Sequence, residues 1–156
     1  MNIITRTGVT ATQRNIAVKW IKRCLREITR KHYELPVDYS AAQTDITVTI
    51  KLAGHRSSAC ERGVTIDLTA LEKSSTTLIE YPAFRNDPVI GSVGIASPEL
   101  VLAGTIAHEV SHFVQYRYGP HTRWLRNRYR KPHGEGFQDI YRILRSRVVN
   151  PQLDTQ

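Results

Sequence analysis

Residues 107–120 read AHEVSHFVQYRYGP and carry the spacing H-E-x-x-H at His108, Glu109 and His112. On a helix, four residues turn the chain by about 400°, so His108 and His112 stand one turn apart and only about 40° apart around the axis. Both imidazoles then reach one ion. Leu102, Ile106, Val110 and Phe113 occupy a separate arc that suits a core, and Glu109 falls between the two arcs. Gly104, four residues before His108, adds no bulk on the preceding turn. Two neutral nitrogen ligands beside a carboxylate base are the parts needed for metal-assisted hydrolysis, because the base takes a proton from water that the metal has acidified. The competing reading is an ordinary helix with chance histidines.

A catalytic zinc takes three protein ligands and keeps one position open. The continuation H-x-x-G-x-x-H fails here, since Gln115 and Tyr118 stand at its glycine and histidine places. His121, His133 and Glu135 remain as third-ligand candidates downstream. His121 follows the expected helix stop by two residues and would have to fold straight back. His133 and Glu135 open the phrase PHGEGFQDIYRIL, and an antiparallel return of that helix sets its first turn beside the metal.

The positioning elements are legible around these residues. Ser97 suits a helix cap, Pro98 the first helical position and Glu99 the positive end of the dipole. The metal helix is expected to run from there to Tyr118, with Gly119-Pro120 as its stop. Ile16, Ala17, Trp20, Ile21, Cys24, Leu25 and Ile28 recur at helical spacing and predict a helix over 11–32, closed off by Pro36. The alternation of Ile46, Val48, Ile50 and Leu52 predicts a half-buried strand over 45–52. Residues 54–63 read as a loop, and GVTIDLTAL as a second strand with Val64, Ile66 and Leu68 inward. A third short strand is expected over 76–81 and an irregular crossing over 82–97. A last helix begins at Glu135, where Phe137, Ile140, Tyr141, Leu144 and Val148 repeat. The expectation is one α+β domain over 1–156.

Composition bounds the partners. The chain has 156 residues, with 22 Lys and Arg against 14 acids, a net charge of +8. A field of that sign favours polyanions such as nucleic acid, although solubility alone also accounts for it. Residues 11–33 hold seven basic residues against one acid, and residues 117–147 nine against two. Candidate phosphate contacts are Lys22, Arg26, Arg123, Arg126, Arg128, Arg130 and Lys131, with Trp124 and Tyr129 placed to stack on unpaired bases. The competing reading is that the aromatics are core and the arginines solvated. Cys24 and Cys60 form no C-x-x-C pair, so a cysteine zinc ribbon is excluded. No apolar h-region opens the chain and no apolar run reaches membrane-spanning length, so a cytoplasmic location is expected.

The pair of motifs His108-Glu109-Val110-Ser111-His112 and His133-Gly134-Glu135-Gly136-Phe137 resembles that of the SprT-like zinc metallopeptidases, which include the Spartan proteases. The order of parts is similar too: first helix, small sheet, metal helix, loop, last helix. The resemblance implies a zincin-like fold with a small, mainly antiparallel sheet. It implies one zinc held by His108, His112 and His133, with Glu109 as general base and protein as substrate. The best understood members act on proteins attached to DNA. The spacer of 20 residues between His112 and His133 is longer than the family suggests, and it is basic and aromatic. Two alternatives stay open. EGFQD resembles the glutamate-bearing helix of gluzincin peptidases, which would make Glu135 the third ligand; otherwise Glu135 serves as partner to a ligating histidine. The other alternative is a non-enzymatic basic nucleic-acid binder or structural zinc protein. Tyr116, Tyr129 and Tyr141 are candidates to stabilise an oxyanion, and an exposed strand edge, with GVTIDL a candidate, is expected to take extended substrate.

Overall fold

The computed structural model describes residues 1–30, 39, 42–54, 56–72, 80, 84–91, 96–119 and 131–153. In chain order these form β1 (Asn2–Thr5), α1 (Ala11–Ile28), α2 (Ala42–Asp45), β2 (Thr47–Lys51), β3 (Ser58–Cys60), β4 (Gly63–Asp67), α3 (Thr69–Glu72), α4 (Pro98–Tyr118) and α5 (Glu135–Leu144). A π-helical turn, Arg145–Val149, and a 3-10 turn, Asn150–Gln152, complete α5. The architecture is α+β, with α4 packed on β3 and β4 and with α1 and α5 packed against α4.

The sheet has the order β1-β2-β4-β3. It corrects the expected mainly antiparallel sheet, because β1 pairs parallel to β2 and β2 parallel to β4. Among the described residues only β3 and β4 run antiparallel. The cause is connectivity: α1 and α2 intervene between β1 and β2, and β3 takes the hairpin position beside β4. The same hairpin corrects two further expectations. Residues 54–63 are not all loop, since β3 lies within them, and GVTIDL is an interior strand whose neighbours are β2 and β3. Gly63 makes that placement possible: a Cβ there would lie 1.8 Å from the Thr47 carbonyl oxygen. Inward-facing Ile46, Val48, Ile50, Val64, Ile66 and Leu68 are buried as the alternation implied.

α1 stops at Ile28, short of residue 32, and Thr29 turns its hydroxyl back onto the Leu25 carbonyl at 2.8 Å. Its start is fixed by a reciprocal cap, in which Gln13 N donates to Thr10 Oγ1 at 3.2 Å and Thr10 N to Gln13 Oε1 at 2.9 Å. The strand expected over 76–81 falls outside the described residues except for Glu80, which is not in a strand. Among the described residues no helix is long and apolar enough to cross a membrane.

α4 is the central element. Fourteen of its 21 residues are buried, so it is enclosed on nearly every side. Leu102, Ile106, Val110 and Phe113 are all 0% exposed, and each such side chain contributes about 1.5–3 kcal/mol. Ser97 Oγ accepts from Leu100 N at 3.3 Å at its start. There Glu99 Oε1 accepts from Trp20 Nε1 at 2.9 Å and Lys19 Nζ at 2.8 Å, locking α1 to the first turn.

A second lock holds α5. Asp87 Oδ1 accepts from Val89 N and Ile90 N, both at 2.9 Å, while its Oδ2 accepts from Arg142 Nε at 2.8 Å. Burial pushes the Asp87 carboxyl up, but the Ile90 and Val89 amides and Arg142 outweigh it and hold the pKa below the usual value. The stability this group supplies is therefore full above the ordinary carboxylate range and lost as pH falls through the depressed value. Asp87→Ala is expected to cost about 1–3 kcal/mol at neutral pH by urea unfolding. The gap to wild type should close in strong acid; a gap independent of pH would contradict the assignment.

Candidate metal centre

The site is built where α5 begins beside the middle of α4. His133 Nε2 lies 3.1 Å from both His108 Nε2 and His112 Nε2. Donor atoms of the three residues all lie within 4.8 Å of one another. Nitrogens bound to one tetrahedral zinc at 2.0–2.1 Å would stand about 3.3 Å apart. The observed spacing is close to that, so the donor set fits a single metal ion.

Electrostatics favour the same state. Burial, then the charges of His112 and His133, lower the His108 pKa to about 3. Burial and His133 lower that of His112 to about 4, against the acceptor oxygen of Gln115, which raises it. Burial lowers that of His133 as well. All three rings are therefore neutral at neutral pH and offer lone pairs. Glu109 is 9% exposed, and burial pushes its carboxyl up to about 7. A carboxylate with that pKa takes and gives protons readily near neutrality.

The rings rest on an aromatic floor. Phe137, fully buried on α5, has its ring centroid 4.3 Å from that of His112, 4.9 Å from His108 and 5.0 Å from His133. Phe84 stacks on Phe137 at 5.7 Å and meets His133 edge-on, also at 5.7 Å. His133 itself has φ +60°, a left-handed conformation uncommon for a residue with a side chain. It sits in a turn closed by Gly134 N donating to the Lys131 carbonyl at 2.9 Å. Gln138 Nε2 holds the His133 carbonyl at 3.0 Å.

The remaining candidates separate by position. Glu135 is exposed and does not belong to the converging group. Tyr116 stacks nearly parallel on His112, with centroids 5.4 Å apart, and its hydroxyl is raised first by burial and then by the Glu109 charge. Tyr141 is buried and donates its hydroxyl to Glu80 Oε1 at 2.6 Å, where buried Arg145 also pairs. Lys22, Arg26 and Lys131 are exposed. Lys22 and Arg26 line a hollow of about 850 Å³ with Lys19 and Arg23. His121, Arg123, Trp124, Arg126, Arg128, Tyr129 and Arg130 lie outside the described residues. Cys60 is exposed, and buried Cys24 has its thiol pushed up to about 12 by burial, consistent with packing. Gln115 enters the sequence only as a departure from H-x-x-G-x-x-H, and its place three residues after His112 was the available signal for a role beside the site.

Metal analysis after zinc loading should find one zinc per chain, lost in His133→Ala and kept in Glu135→Ala. Loss in Glu135→Ala alone would move the third ligand to that carboxylate.

No family model, no curated protein and no solved structure matches this chain.

Proposed function

We propose that the chain is a zinc-dependent endopeptidase of the SprT-like kind. The observation that carries the reading is the meeting of three neutral imidazole nitrogens beside a buried carboxylate on the same helix. His108, His112 and His133 would hold the ion. Bound there, zinc would supply Lewis acidity, making water a stronger acid and a peptide carbonyl a better electrophile.

The protein's own groups account for the proton work. Glu109 accepts the proton of the attacking water and returns it to the departing amine, a task suited to a carboxyl with a pKa of about 7. Of the three tyrosines that sequence offers as oxyanion donors, Tyr116 is the one with support. Its ring leans on His112, and side chains on a helix point back toward the N-terminus, here toward His112 and Glu109. Tyr141 has committed its hydroxyl to Glu80. The substrate is an extended polypeptide, and β3 is the sheet edge packed against α4, which supports pairing of substrate along that strand. Proteins attached to DNA are the proposed setting, supported by the basic hollow on α1 and by exposed Lys131.

Zinc-loaded protein should cleave reduced casein, assayed with and without single-stranded DNA. Glu109→Gln should lower cleavage at least about 100-fold while keeping its zinc. Tyr116→Phe should lower kcat about 10- to 100-fold with little change in KM. Salt-sensitive DNA binding with no cleavage by the wild type would instead support a basic binding protein.

A further inference from the structure

We propose that Gln115 is a positioning residue that couples the two halves of the metal centre, tying His112 on α4 to the turn that presents His133. The inference rests on the three-histidine reading of the site. Gln115 is 1% exposed, on the turn of α4 that follows His112. A buried carboxamide is costly unless its donors and acceptor are used. Its Nε2 donates to the Lys131 carbonyl at 3.0 Å, two residues before His133. That same carbonyl accepts from Gly134 N, so Gln115 grips the turn at the atom that closes it.

The grip matters because of the backbone inside the turn. A non-glycine residue in the left-handed region costs of order 1 kcal/mol or more, and it persists only where its surroundings fix it. His133 is fixed from both sides: Gln115 holds Lys131 from α4, and Gln138 holds the His133 carbonyl from α5. Release at the α4 side would let the chain relax toward φ below zero and swing the imidazole away from His108 and His112.

Gln115 stands three residues beyond His112 on α4. A neutral histidine that ligates through Nε2 carries its hydrogen on Nδ1 and needs an acceptor there to fix the ring. Nδ1 of His112 is buried and makes no hydrogen bond of full geometry. The amide donates to the Lys131 carbonyl, whereas a carboxylate would repel that oxygen.

The experiment measures zinc affinity by competition with a chromophoric chelator, together with thermal melting of the zinc-free protein, on wild type, Gln115→Met and Gln115→Glu. Gln115→Met, close in shape and without the hydrogen bond to Lys131, should weaken zinc binding about 10- to 100-fold. Its zinc-free melting temperature should stay within a few degrees of wild type. Gln115→Glu loses the donor and repels the Lys131 oxygen, so its affinity should fall at least as far as that of Gln115→Met. Zinc affinity within twofold of wild type in either variant overturns the coupling while leaving the metal centre intact. Weakened affinity matched by an equal loss of zinc-free stability would make Gln115 a packing residue only, which also overturns it. A wild type that takes no zinc overturns the metal centre and this inference together.

Discussion

Everything in this molecule answers to one constraint: three imidazole nitrogens from two separate segments must arrive at one point. Helical spacing settles two of them, because His108 and His112 share a face of α4. The third depends on tertiary structure. It needs α5 pressed against α4, and Phe137 is the piece that does the pressing, lying under all three rings. Moving that ring would move all three histidines. The Asp87–Arg142 ion pair and Phe84 hold α5 from outside, so the centre inherits its geometry from packing some distance away.

The constraint has a cost in α4. A helix enclosed on most sides would be most stable if wholly apolar, yet Glu109, Ser111, His112 and Gln115 are all buried in it. Each must find a partner or shift its charge. Ser111 donates back to the Ala107 carbonyl at 2.7 Å. The histidines discard their protons, and Glu109 holds its proton more tightly than an exposed carboxyl does. The apolar arc of Leu102, Ile106, Val110 and Phe113 offsets the rest. Behind the site, Glu80, Tyr141 and Arg145 form a buried polar cluster at the π-helical turn, with Asn150 bracing Arg145 at 2.9 Å. Such clusters add little net stability but are costly to break.

Local order was the part most legible in sequence. The Ser97 cap, the end of α4 at Tyr118 and the start of α5 at Glu135 follow from side-chain chemistry within one turn, and all three stand where the residues imply. The inward faces of β2 and β4 follow from alternation. Long-range pairing was not legible. Nothing in MNIITRT announces β1, because a short strand at a sheet edge buries too little to show a pattern. Strand direction was also beyond reach, since alternation is the same in parallel and antiparallel strands. In the site, the H-E-x-x-H spacing carried two of the three converging histidines by itself. Placing His133 needed the phrase around it, and the left-handed turn that aims it has no signature in the sequence.

The parallel pairing of β1 with β2 and of β2 with β4 bears on the order of assembly. Of the three strand contacts, only β3 with β4 closes through a tight turn, at Glu61 and Arg62. The other two join segments far apart in the chain, and such closures are slow because the entropy of the intervening loop is lost before contacts reward it. By that measure the β3–β4 hairpin and the helices are the local contacts of the fold, and the β1–β2 pairing is the most distant of the strand contacts described. The apolar face of the sheet and that of α1 are both covered by α4, which follows them in the chain, so Val64, Ile66 and the apolar stripe of α1 all wait on the same helix.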